Sequence, residues 1–514
     1  MKIVLFRPRP HKETIGLQNV MICEPLELEY IASNVEPLGH EVVIVDMILE
    51  KKKIAYFLEK HKPDVVGVTG YIAHVNIIKD YARQVKEYSK DIVTIVGGVH
   101  AEVNPEDFED PNIDYIIRAN GIKTFISILK KLENLHEIDT VKNSIISKED
   151  INENRNDDGS EDSKEKNNEA GIKSQEDLLP DRKSIVSKEL NNAQEAVCQD
   201  DNPLDCVYTK GVNKAVKETT FNYLFPDRDK VSKYRKHYYY MFHRNCSLIK
   251  TSFGCPYNCK FCFCRQITDD KYFARSLENI IEELKTIPQT EVYIVDDDFL
   301  FNAERLMEFC DLLEKNNIHK KYLVYGRADF IANNEAAIKR LKEVGLRAVI
   351  VGLESCSSKD LDTYNKRTQV SINEKAVSIL QKYDVECYGT FILGLDWTKE
   401  DFNALGRWIK KLGLIFVNLQ PLTPLRGTEM YEQYRKDFII REDEYEKWDL
   451  AHLVVKPMNL SVRKYYWYTM VLYYKITANP KSWWYMVKKY GLYDTLKLTV
   501  GAAKVNMQYF KKLL

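Results

Sequence analysis

Three cysteines in one short loop, Cys255, Cys259 and Cys262, have types and spacing that can do chemistry. They lie in Gly254-Cys255-Pro256-Tyr257-Asn258-Cys259-Lys260-Phe261-Cys262, directly after an apolar run that reads as a strand. Three thiolates at C-x3-C-x2-C spacing can hold three corners of a [4Fe–4S] cube. The fourth iron is then left without a protein ligand, open to a substrate or cofactor. Gly254, Pro256 and Asn258 suit the tight turns that bring the sulfurs together. Two plainer readings compete. Cys264 could close a four-ligand structural zinc site, or the thiols could be small buried hydrophobes.

The residues around this loop call for a scaffold that presents strand ends. From 247 to about 430 the order strand, loop, helix repeats, with strands expected at Leu248–Thr251, Val292–Val295, Tyr322–Tyr325, Ala348–Val351, Cys387–Leu393 and Ile415–Leu419. Six units predict a partial parallel (β/α)6 barrel with its functional residues at the carboxyl ends of the strands. Polar residues fall there: Asp296-Asp297-Asp298 after the second strand, Gly326-Arg327-Ala328-Asp329 after the third, Gly352-Leu353-Glu354-Ser355 after the fourth. Any one such cluster is usually a solvated loop or a helix cap. Their repetition at successive strand ends makes them candidate site residues.

Residues 1–140 alternate strands and helices as a parallel, Rossmann-like (flavodoxin-like) α/β sheet would. Strands are expected at Ile3–Phe6, Glu41–Val45, Val65–Thr69, Ile92–Val96 and Tyr115–Arg118. Thr69-Gly70-Tyr71 and Gly97-Gly98-Val99-His100 end two of them, and paired glycines let a backbone approach a large flat ligand. The competing reading is an ordinary turn. Residues 141–219 are rich in Asn, Asp, Glu, Lys and Ser and read as a low-complexity, disordered insertion, or a small lid. Residues 220–246, with Tyr238-Tyr239-Tyr240-Met241-Phe242, read as an interdomain connector. Residues 431–514 read as a helical tail whose aromatic stripe serves core packing, a substrate entrance or contact with a membrane surface.

The cysteine spacing resembles the radical S-adenosylmethionine (SAM) superfamily. That resemblance implies cluster ligation by Cys255, Cys259 and Cys262, with Cys264 a bystander. It also implies that Asp296 or Asp298 accepts from the SAM ammonium, Arg327 pairs with its carboxylate, and Glu354 and Ser355 meet the ribose. Gly389, Gly394 and Leu422–Leu425 would form an adenine slot. The run Val96-Gly97-Gly98-Val99-His100-Ala101 with Asn104-Pro105-Glu106 looks like the cobalamin-binding domain that precedes many radical SAM domains. There Thr69, Gly70, Gly97 and Gly98 would be the cobalamin contacts. No Asp-x-His-x-x-Gly follows the first strand, so no candidate for a cobalt-ligating histidine stands out, and His100 reads as a pocket-wall residue. Pro226-Asp227-Arg228 through Phe253 looks most like the hopanoid C-3 methylase branch.

The resemblance implies a methyltransferase that uses SAM and methylcobalamin to methylate an unactivated carbon. The alternatives are a radical rearrangement or cyclisation with the same cofactors, and a non-catalytic sensor. The substrate would be a lipid, a peptide or a small metabolite, and the reductant a flavodoxin or ferredoxin. Bulk properties frame these expectations. The chain has 514 residues, 44% of them hydrophobic, and a net charge of −1, which gives no argument for a nucleic-acid partner. Its 11 cysteines follow no disulfide framework, as suits a reducing cytoplasm. No apolar stretch approaches a membrane span, and Met1 runs straight into strand-like residues, which reads as no signal peptide.

Overall fold

Runs of β-branched residues alternating with amphipathic stretches build two parallel sheets in the computed structural model, which describes residues 1–16, 20–135, 203–211 and 217–512. In the first sheet β1 (Lys2–Arg7), β2 (Glu41–Asp46), β3 (Val65–Thr69), β4 (Val93–Gly97) and β5 (Tyr115–Ile116) stand in the order β2-β1-β3-β4-β5, all parallel. β3 is buried at every position, as a central parallel strand covered on both faces must be. The helix Val75–Tyr88 turns Val75, Ile78, Ala82 and Val85 to this sheet at three- and four-residue intervals. The order is the flavodoxin-like one, and its reversal between β1 and β3 opens a crevice at the strands' carboxyl ends. Thr69-Gly70 and Gly97-Gly98 stand at those ends.

The second sheet holds β6 (Ser247–Ile249), β7 (Glu291–Ile294), β8 (Lys321–Gly326), β9 (Leu346–Glu354), β10 (Glu386–Leu393) and β11 (Phe416–Pro421), parallel and in sequential order. This is the six-unit arrangement expected. The helices after β6 and β7 begin at Ser276 and Asn302, whose side chains accept from Asn279 N and Arg305 N and so satisfy amides with no partner inside the helix. Near the strands' beginnings, Leu248, Tyr293, Leu323, Tyr388 and Phe416 form one cluster with Phe242 and Met486. The Phe242 ring stacks on that of Tyr490, 3.8 Å away and nearly parallel. The connector and the tail therefore fill the lower end of the barrel, leaving the carboxyl ends for a site.

Buried charges join the two sheets. Glu283, fully buried, accepts from Arg228 Nη2 at 2.7 Å and from Tyr30 OH at 2.9 Å, and pairs with Arg275 at 2.6 Å. Glu24, also buried, pairs with Arg235 and accepts from Leu248 N. Removing one member of such a group leaves a desolvated charge, which costs about 3–5 kcal/mol.

Three local features depart from the sequence expectation. β9 does not stop at Val351 but continues through Glu354, because β10 keeps pairing with it across a register shift between Gly352 and Glu354. The connector contributes a short strand, Tyr239–Tyr240, which pairs antiparallel with Met21–Ile22. The chain also takes up its place beside the first sheet before residue 219, since Tyr208 N donates to Ile116 O at 2.8 Å. Residues 141–202, which include Cys198, lie outside the described residues. The tail carries three helices, Val462–Thr477, Pro480–Tyr490 and Leu492–Phe510. Among the described residues no helix is long and apolar enough to cross a membrane.

Candidate active site

The loop that carries the three cysteines is rooted by two aspartates. Asp296 accepts from Thr251 N (2.6 Å), Thr251 Oγ1 (2.5 Å) and Ser252 Oγ (2.7 Å). Asp297 accepts from Gly254 N at 3.1 Å and from Lys250 Nζ at 3.3 Å. Gly254 has φ +79°, and a Cβ there would lie 2.1 Å from Lys271 O, so the entry to the loop admits only glycine. Asp296 is thus committed to holding the loop. Asp298 is different. It is buried, neither carboxylate oxygen has a hydrogen-bond partner, and burial pushes it up to about 8 against the pull of Arg327 and Lys366.

Buried acceptors are almost always paired, so the bare carboxylate of Asp298, beside Cys255, suits a cationic group brought in by a ligand. The three thiols share one neighbourhood: Cys255 feels Cys262 and Cys259, and Cys259 feels Cys262. Burial pushes Cys255 up to about 12 and also raises Cys259, while a hydrogen bond with Cys264 lowers Cys262. The side chains do not already stand as a metal-holding set among the described residues.

Two cations face this loop. Arg327 Nη1 is 3.8 Å from Cys259 Sγ, and its guanidinium lies 3.7 Å from the centre of the Tyr257 ring. Asp329 accepts from Arg327 Nε at 2.9 Å and Nη2 at 3.1 Å, fixing the planar group. Lys366 is buried and forms a 2.7 Å pair with Glu354 Oε1. Burial alone would lower the Lys366 ammonium, but the Glu354 carboxylate outweighs it and raises it. Glu354 occupies the left-handed region at φ +58°, a conformation that costs a non-glycine residue about 1–2 kcal/mol. The register shift and the ion pair hold it there. Ser355 Oγ donates to Asp360 Oδ2 at 2.7 Å, so its hydroxyl proton is already placed inside its own loop.

At the first sheet the seat is made of missing side chains. Gly98 has φ +100°, and a Cβ there would fall 2.6 Å from Thr69 Oγ1 and 3.0 Å from Gly70 N. The ends of β3 and β4 are therefore in close approach. A Cβ at Gly97 would meet only Ile117, at 3.9 Å, which leaves that strand end open. His100 Nε2 is bonded to Asp107 at 2.8 Å, and Asp107 also accepts from Arg426 and from Tyr445 OH. His100 thus anchors the tail.

The two sets of strand ends meet. The short helix Val99–Val103 after Gly98 packs on Cys264–Ile267, which follows the third cysteine. Tyr71, the residue after Gly70, is 61% exposed, yet the protein around it pushes its hydroxyl up to about 12. Its hydroxyl feels Glu27, Arg7, Cys23 and, from the end of β8, Tyr325.

Residues 15–129 match the B12 binding domain family, and residues 249–409 match the Radical SAM superfamily. The chain therefore joins a B12-binding domain to a radical SAM domain. The chain is 24% identical to hopanoid C-3 methylase of Methylococcus capsulatus, over 91% of this chain and 78% of that one. It is 20% identical to the anaerobic magnesium-protoporphyrin IX monomethyl ester cyclase of Rubrivivax gelatinosus, over 89% of this chain and 74% of that one. Its fold matches that of the cobalamin-dependent SAM radical enzyme OxsB, solved with aqua-cobalamin and SAM, at a TM-score of 0.62 and 15% identity, over 99% of this chain and 72% of that one.

The sequence offered the cysteines, both glycine pairs and the strand-end charges as candidates, with Tyr71 beside Gly70 and Asp329 beside Arg327. It gave no role to Lys366, Tyr257 or Tyr325. Lys366 sits between two left-handed residues, Asn365 and Arg367, in a loop whose Asn365 Nδ2 donates to Asn258 O at 2.6 Å. No spacing motif marks such a loop.

Proposed function

We propose that this chain is a cobalamin-dependent radical SAM methyltransferase acting on an unactivated carbon of an organic substrate. The observation that carries the reading is the packing of Val99–Val103, which follows the glycine pair of the first sheet, against Cys264–Ile267, which follows the third cysteine. When bound, the cluster and SAM supply a carbon-centred radical, and cobalamin supplies the methyl group. The cofactors carry the hard chemistry, and the protein has to bind them, orient them and exclude water.

The residues present fit those tasks. Cys255, Cys259 and Cys262 ligate the cluster, and Arg327 and Lys366 offset the negative charge gathered at the thiolates. Asp298 accepts from the SAM ammonium and gains the partner it lacks. Arg327, held flat by Asp329, faces the SAM carboxylate, and Glu354 and Ser355 lie along the ribose side. Thr69, Gly70, Gly97 and Gly98 leave the close backbone surface that a corrinoid needs. The domain limits of the sequence reading stand as part of this proposal, as do a cytoplasmic setting and a flavodoxin- or ferredoxin-type electron donor.

A second reading keeps the cofactors and replaces methyl transfer by cyclisation. The similarity to the cyclase, at nearly the same coverage as to the methylase, favours it. Anaerobic reconstitution with iron, sulfide and hydroxocobalamin, followed by SAM and reductant, separates the two. S-adenosylhomocysteine together with 5′-deoxyadenosine supports methyl transfer. Deoxyadenosine alone, in the presence of a turned-over substrate, supports cyclisation.

A further inference from the structure

The last helix, Leu492–Phe510, has two apolar sides. One packs inward through Thr495, Gly501 and Tyr509, whose ring lies 6.2 Å from that of Tyr466 and 6.0 Å from that of Tyr473. The opposite side carries Leu496, Val500, Met507 and Phe510, exposed by 48%, 54%, 57% and 42%. Steps of four, seven and three residues at 3.6 residues per turn line these four up as a single stripe. Lys497, Lys504 and Lys511 repeat every seven residues along one border of it. Lys497 lies over the Tyr239 ring at 3.6 Å, while Lys504 and Lys511 have no carboxylate partner among the described residues.

Charge singles out the same segment. From Val462 to the last residue there are ten Lys and Arg against the single acid Asp494, in a chain whose net charge is −1. Tyr493, at the start of the same helix, and Trp484, on the helix Pro480–Tyr490 before it, are exposed amphipathic rings of the kind that favour a water–lipid boundary. An acidic protein partner would match the lysines but not a convex row of flexible aliphatic side chains. A lipid surface matches both. No helix among the described residues is long and apolar enough to cross a bilayer, so the contact is in the plane of the surface.

We propose that the outer face of Leu492–Phe510 docks on the surface of an anionic lipid bilayer, with the stripe in the headgroup boundary and the lysines against lipid phosphates. The test is flotation of the full-length protein with vesicles of phosphatidylcholine alone and of phosphatidylcholine mixed with phosphatidylglycerol. The parent protein is expected to float with the anionic vesicles and to be released by high salt. Lys504→Gln/Lys511→Gln is expected to weaken binding about 30-fold, from roughly fivefold per surface lysine. Leu496→Ser/Met507→Ser is expected to weaken it at least as much. Both variants should keep the parent's Tm and cluster content, because the changed side chains face outward. The proposal is overturned if the parent ignores anionic vesicles or if neither variant changes binding. It is also overturned if binding appears only after residues 141–202 are deleted, or if Leu496→Ser/Met507→Ser instead abolishes self-association.

Discussion

The two cofactor seats are built on opposite principles. At the barrel, five charged side chains, Asp298, Arg327, Asp329, Glu354 and Lys366, crowd the strand ends and the loops beyond them, and all but Asp298 are paired. At the flavodoxin-like sheet the matching positions are Gly70, Gly97 and Gly98: close packing leaves no room for a side chain at Gly70 and Gly98, and the open position is Gly97. A small, charged, chelating ligand is held by placed charges in a low-dielectric pocket. A broad, mostly neutral one is held by shape. The lesson is that absence of side chains is as deliberate a device as their presence, and it fails differently under mutation.

The largest effect should come from Cys259→Ala. It leaves two of three cluster thiols and removes the sulfur facing Arg327, so SAM cleavage should fall at least about 1,000-fold, as deoxyadenosine measured by mass spectrometry. Cobalamin retained on gel filtration should be unchanged, because the glycine seat does not depend on the cluster loop. Loss of both together would break the comparison by showing that the seats fold as one.

Gly98→Ala is the reciprocal change. Its methyl group would sit 2.6 Å from Thr69 Oγ1 at a φ of +100°, so the β3 and β4 ends must part. Cobalamin binding should weaken about 10- to 100-fold in an absorbance titration, while SAM cleavage stays within about twofold. If cobalamin binds normally, the ends of β3 and β4 are not its seat.

Asp298→Asn sharpens the comparison on the charged side. Trading an unpaired carboxylate for an amide removes a charge-assisted bond of about 1.5–3 kcal/mol. The KM for SAM should then rise about 10- to 100-fold with the cluster spectrum intact. Asp296→Asn should instead lower cluster content, since Asp296 is spent on Thr251 and Ser252.

That contrast between neighbouring aspartates explains what was legible in the sequence. The fold was, because β3 and its neighbours are short apolar runs at regular spacing. Which carboxylate of Asp296-Asp297-Asp298 is free was not, since that depends on whether Thr251 and Ser252 across the sheet reach it. Lys366 was invisible for a related reason: it acts through a loop brought in from elsewhere, and a lone lysine carries no pattern. The end of β9 was misjudged because Gly352 reads as a stop, whereas β10 continues the pairing beyond it.

The smallest expected effect concerns the charges between the seats. Glu29 is fully buried beside the Glu283 group, and neither of its carboxylate oxygens has a hydrogen-bond partner. Burial pushes it up to about 8 from 4.5, only partly opposed by Arg228. A carboxyl raised in the folded state keeps a proton that the unfolded chain releases. Its contribution is therefore present below about pH 4.5 and is lost as the pH climbs towards 8. Glu29→Gln keeps the shape and removes the titration, so the variant should match the parent near pH 4.5 and become progressively more stable than it as the pH rises to 8. Tm followed across that range checks it. A gain that grows with pH would place the strain of this charged junction at Glu29 and leave both seats loaded. A variant that is less stable at every pH would show instead that Glu29 is ionised and held by Arg228, making the junction an extension of the barrel's paired charges.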